Sequence, residues 1–200
     1  MKKQILMVVI LFASIALTTA FSAEKKILGR ESFKLGSDNK EIVAEKYLEN
    51  NEIMVSITDK SGKSLLDSSP IGNEEKLFLL DGKPTGLAVK DLTGDGIPEV
   101  IATAFYGPAS ALYVYRYDEA KNKFAPVIFI DNPDPDLCRD FMVSDLPMED
   151  GSDMQVKADN SLVAMGKIYP ENNIQKVTKG LYTYKFEGNG FKLIDRKQLK

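Results

Sequence analysis

The chain has 200 residues, with 26 basic and 29 acidic side chains, one cysteine and no histidine. The missing histidine excludes Ser-His-Asp and Cys-His catalysis and imidazole-based metal sites, and the lone Cys138 excludes an intrachain disulfide. A formal net charge of −3 with no Lys/Arg stripe makes nucleic acid and anionic membrane surfaces poor partners.

Lys2 and Lys3 precede an apolar run over 5–17, and small residues follow at Thr18, Thr19, Ala20, Ser22 and Ala23. That is the layout of a cleavable secretory signal, and the run is shorter than the about 20 residues a membrane span needs. Cleavage fits after Ala20 or Ala23. The expectation is a signal peptide over 1–23 and a single exported β-domain over 24–200, periplasmic or extracellular and free of the membrane once cleaved.

Along the rest of the chain the dominant period is two. Residues 53–57 run into the polar turn 59–63 and then Leu65-Leu66, a hairpin pattern. A short strand over 77–80 ends at Asp81-Gly82-Lys83-Pro84, and further strands are predicted over 86–92, 100–105, 112–117 and 124–130. The second half repeats the habit over 141–146, 161–169, 180–186 and 191–195. Only 40–48 reads as a helix. Cys138 lies among Asp134, Asp136 and Asp140, whose charges disfavour a reactive thiolate, so it reads as a packed or tolerated residue.

Laid side by side, 86–130 and 141–195 follow the same order of strands and acidic loop. The alternating Leu112-Tyr113-Val114-Tyr115-Arg116-Tyr117 matches Leu181-Tyr182-Thr183-Tyr184-Lys185-Phe186. Four antiparallel strands per unit resemble a propeller blade. The expected fold is all-β and mainly antiparallel, with blade-like four-stranded units forming an incomplete propeller or an open β-stack.

The most informative segment is Asp91-Leu92-Thr93-Gly94-Asp95-Gly96-Ile97-Pro98-Glu99. Oxygen-bearing side chains recur at its first, third, fifth and ninth positions, and the glycines allow a tight turn. A hard cation such as Ca²⁺ takes six to eight oxygens at roughly 2.3–2.6 Å, and this spacing supplies several. Together with Val100-Ile101-Ala102, the loop resembles the calcium loops of the FG-GAP and VCBS repeats of integrin-alpha-type propellers. The resemblance implies Asp91, Thr93, Asp95, the carbonyl of Ile97 and Glu99 as metal ligands. Thr93 stands where the family has an amide or carboxylate and Glu99 where it has aspartate, which implies a weaker site. An EF-hand would need its bidentate glutamate at the twelfth position, which is Ala102. The plain alternative is an acidic, glycine-rich hairpin that holds no metal.

A second acidic loop, 145–153, adds a residue and lacks the central glycine, and it reads as solvated and inactive. The stripes Tyr113, Tyr115, Tyr117 and Tyr182, Tyr184, Phe186 read as sheet packing. Tyr106 is expected in a loop near the metal, as a surface contact. The leading functional expectation is an exported, non-enzymatic β-repeat protein with Ca²⁺ as its cofactor. Alternatives are a glycan- or protein-recognition module using the metal-ordered loop, with an unidentified partner, and a metal-assisted hydrolase, for which no carboxylate pair stands apart from the calcium ligands.

Overall fold

The computed structural model describes residues 24–36, 38–66, 68–131, 138–169 and 176–199. The signal segment 1–23 and the acidic residues Asp134 and Asp136 lie outside the described residues. The architecture is all-β, mostly antiparallel and not closed into a barrel, an open stack of sheets.

β1 (Lys26–Leu35), β2 (Lys40–Glu49) and β3 (Glu52–Asp59) form a three-stranded antiparallel meander. β2 occupies the segment whose spacing predicts a helix. Ile42, Ala44 and Lys46 are all fully buried at period two, and strands pair with both edges, so sheet hydrogen bonding overrides the mixed local pattern. Asn50 and Asn51, at φ 52° and 61°, make the tight turn into β3, the left-handed pair that matches hairpin twist.

The chain continues through β4 (Glu74–Glu75), β5 (Phe78–Leu80), β6 (Lys83–Thr85), β7 (Leu87–Lys90), β8 (Glu99–Tyr106) and β9 (Ala109–Asp118). Then come β10 (Lys123–Pro126), β11 (Ile128–Ile130), β12 (Cys138–Arg139) and β13 (Met142–Ser144). β14 (Met154–Val156), β15 (Leu162–Ile168), β16 (Thr178–Glu187) and β17 (Gly190–Gln198) complete it. The second sheet runs β10-β9-β8-β4, with β7 also on β8 and β13 on β9. The third runs β12-β11-β17-β16-β15-β14-β5-β6, with parallel pairs at β11–β17 and β14–β5.

The second sheet is the middle layer. Along β8, Val100, Ala102 and Ala104 pack into one core with Ile42, Ala44, Ile53, Val55 and Ile57 of the first sheet. Ile101 faces the other way, with Leu112 and Val114, against Phe78, Phe129, Leu162 and Phe191. Both tyrosine stripes face these cores: Tyr115 is buried in the first, with Tyr113 and Tyr117 against it, and Tyr184 is buried in the second. A strand apolar on both faces is what the centre of a stack requires.

Among the described residues, two lysines are fully buried. Lys76, between β4 and β5, places Nζ 2.7 Å from Asp153 Oδ1, donates to the Met148 carbonyl, and lies 5.5 Å from the Phe105 ring centroid. Lys46 Nζ donates to Glu75 Oε1 at 2.9 Å and to the Lys76 carbonyl at 3.1 Å. The Lys76–Asp153 pair joins the segment linking the second and third sheets to the loop that makes the same crossing. Removing one partner of a buried pair strands the other charge. Lys76→Met is therefore expected to cost about 3–5 kcal/mol in chemical denaturation, and Lys76→Met with Asp153→Leu to cost less than the single change. Equal losses would show that the pair is not coupled.

Candidate functional site

Loop 91–99 is the bend of the β7–β8 hairpin, whose last paired residues are Lys90 and Glu99. Asp91 folds the loop around its own carboxylate, with Oδ1 accepting from the Gly94 amide at 2.7 Å and Oδ2 from the Gly96 amide at 2.9 Å. Gly94 and Gly96 sit at φ 78° and 83°, a conformation glycine reaches without steric cost. Asp95 Oδ1 accepts from the Ile97 amide at 2.8 Å. Asn160 Nδ2, in the β14–β15 turn, donates to the Asp91 carbonyl at 2.9 Å and ties the loop to the third sheet.

Glu99 forms the base of the loop. As the first residue of β8 it shares the inward face with Ile101, and its side chain is 0 % exposed. Its Oε2 accepts from the Leu92 amide at 2.7 Å, and Oε1 lies 3.3 Å from Thr93 Oγ1. Arg116 comes from the neighbouring strand: with Val100 opposite Tyr115, the register sets Arg116 beside Glu99. Its Nη2 donates to Asp95 Oδ2 at 2.6 Å, Nε lies 3.8 Å from Glu99 Oε1, and the guanidinium carbon stands 5.3 Å from the Phe186 ring centroid.

The electrostatics follow from this crowding. Burial, with the charges of Asp95 and Asp91 adding to it, pushes the Glu99 carboxyl up to about 7, and the Leu92 amide and Thr93 hydroxyl partly offset them. At Asp95 burial also acts upward, but the Arg116 guanidinium and the Ile97 amide outweigh it and hold the group below its ordinary value.

All five sequence-nominated residues, Asp91, Thr93, Asp95, Ile97 and Glu99, therefore lie on one hairpin bend. Thr93 meets Glu99, whereas Asp91 is turned to loop amides and Asp95 to Arg116. Among the described residues no three His, Cys, Asp or Glu groups converge as a metal cluster. The nominated residues offer oxygen donors only, and one of them is a fully buried carboxylate. The Arg116 guanidinium stands in as the positive charge beside them.

Loop 145–153 is built differently. It passes from β13 in the second sheet to β14 in the third, and its carboxylates diverge. Asp145 accepts from the Lys167 amide at 2.8 Å, Asp150 from the Ser152 amide at 2.9 Å, and Asp153 takes Lys76. Tyr106 also departs from expectation. It is 58 % exposed and packs on Phe141 at 5.8 Å, at the opposite end of β8 from Glu99. Seven extended steps put it about 23 Å from the loop, so the expected loop near the metal is overturned.

The sequence pattern did not mark Arg116, Lys76 or Asn160. For Arg116 a signal existed: it occupies an inward position of β9, in register with Leu112 and Val114, where a charge calls for a partner.

Glu99 gives this site a pH signature. Its folded carboxyl holds a proton to about 7, against an ordinary value of 4.5, so the folded state binds more protons within that window. Stability in chelator is expected to fall by about 3 kcal/mol as pH rises through it. Asp59 works oppositely: held down to about 2, chiefly by the Ser61 hydroxyl, it contributes stability that is lost on acidification below 3.8. Urea titrations across pH test the first trend. Glu99→Gln should flatten it, and an unchanged slope in that variant would assign it elsewhere.

Comparison with protein-family models, with curated proteins and with solved structures finds no match to this chain.

Proposed function

We propose that this chain is an exported, non-enzymatic β-protein whose loop 91–99 takes up Ca²⁺, the ion pinning β7 to β8 and stabilising the stack by mass action. The carrying observation is the wholly buried Glu99 carboxyl at the base of a loop already turned by Asp91, Gly94 and Gly96. Asp91, Thr93, Asp95, the Ile97 carbonyl and Glu99 would hold the ion. When bound, it supplies the positive charge that offsets three carboxylates in one bend. The signal-like layout of 1–23 supports the exported compartment, where millimolar calcium fills even weak sites. A recognition role for Tyr106 would be independent of the metal, given its place at the far end of β8.

Glu99→Gln separates metal binding from simple folding, because it keeps the shape of the side chain while removing its charge. Calorimetry is expected to find one calcium site per chain in the parent, with a raised melting temperature in calcium relative to chelator. In Glu99→Gln the calcium-dependent rise should vanish, while the midpoint in chelator is no lower than that of the parent. A parent that neither binds nor shifts up to millimolar calcium would leave the loop as a hairpin turn alone.

A further inference from the structure

At the rim of the first core, four aromatic side chains form a row on the second sheet. The ring centroid of Tyr106 lies 5.8 Å from that of Phe141, Phe141 lies 5.0 Å from Tyr113, and Tyr113 stacks on Tyr115 at 6.2 Å with their planes 9° apart. Pairing of Met142 with Leu112 sets Phe141 beside Tyr113. Ser69 and Ile71, from the segment between β3 and β4, join Tyr113, Tyr115, Phe141 and Asp140 in lining a cavity of about 260 Å³. Its phenols differ from the others of the two tyrosine stripes. Tyr117 donates to Asn122 Oδ1, Tyr182 to the Lys167 carbonyl and Tyr184 to Asp131 Oδ1, whereas the hydroxyls of Tyr113 and Tyr115 make no hydrogen bond among the described residues. Tyr115 is only 3 % exposed, and a buried phenol ordinarily finds a partner within the protein. Burial pushes the Tyr113 phenol up to about 12 and raises that of Tyr115 as well, with the charge of Asp140 adding to both, so both hydroxyls keep their protons and can donate.

We propose that this cavity binds one neutral hexopyranose ring, a function independent of the calcium reading. A pyranose presents an apolar face of C–H groups and a rim of hydroxyls that donate and accept. The cavity offers the complement: apolar walls in Phe141, Tyr113 and Ile71, two unbonded phenol hydroxyls, and the exposed Asp140 carboxylate, which has no ion pair among the described residues. Its volume lies just under the roughly 300–1,000 Å³ of sites for drug-sized ligands, the scale of a single ring. Among the described residues no lysine or arginine lines it, so its one carboxylate repels anionic ligands. A quaternary ammonium is held in an aromatic cage; here Tyr113 and Tyr115 lie parallel and Phe141 packs on Tyr113, which makes a row rather than a cage.

The test is saturation-transfer NMR and calorimetry on the purified protein with methyl glucopyranoside, galactopyranoside and mannopyranoside, and with tetramethylammonium as the cationic probe. At least one glycoside is expected to bind in the millimolar range, with saturation strongest at its ring C–H protons. Tyr115→Phe removes the hydroxyl and keeps the ring. Its affinity should fall about tenfold, as for one lost hydrogen bond, while its melting temperature stays at or above that of the parent, because no described group bonds to that oxygen. A tyrosine with a structural role alone would show the reverse, a lower melting temperature and unchanged binding. Asp140→Asn, at an exposed position, should also weaken binding without changing the melt, and it serves if Tyr115→Phe fails to fold. No glycoside signal in the parent, binding unchanged in both variants, or tetramethylammonium binding in preference to all three glycosides would each overturn the proposal and leave the calcium reading untouched.

Discussion

Strand β8 is packed on both faces, and the rest of the structure depends on that constraint. Its alternate residues feed two separate cores, Val100, Ala102 and Ala104 on one side and Ile101 on the other, so neither face has room for a solvated group. Glu99 begins this strand and inherits the burial. A carboxylate placed there needs hydrogen bonds and positive charge from its surroundings, and the bend 91–99 supplies the first through Leu92 and Thr93. The three-layer stack thus turns an acidic hairpin into a place where charge is unbalanced.

The molecule answers that problem twice with its own basic residues. At Asp153 it uses a lysine sealed within the protein, a pair that joins the segment between β4 and β5 to the loop before β14. At Asp95 it uses an arginine on the rim, held by one short contact and an aromatic neighbour. Both solutions bridge layers: Lys76 links the crossing segments, and Arg116 reaches from β9 of the middle sheet toward Phe186 on β16 of the third. Charge balance and layer packing are in this sense the same problem.

Much of this was legible in the sequence. Period-two alternation identified most strands, because one buried face per strand imposes it, and the spacing of Asp91, Thr93, Asp95 and Glu99 marked the bend where β7 turns into β8. Three things were not legible. The helix reading of 40–48 failed because Ile42, Ala44 and Lys46 line up only once β1 and β3 fix the strand. The place of Tyr106 depended on β8 running unbroken for eight residues. The pairing of Lys76 with Asp153, 77 residues apart, and of Arg116 with Asp95 are products of topology and register, which local pattern does not encode.

The most direct measurement is a crystal structure grown with millimolar calcium and recorded at a wavelength where calcium scatters anomalously. The proposed reading predicts an anomalous peak within the bend, with oxygens of Asp91, Thr93, Asp95 and Glu99 at about 2.3–2.6 Å. An empty bend at that calcium concentration would contradict it.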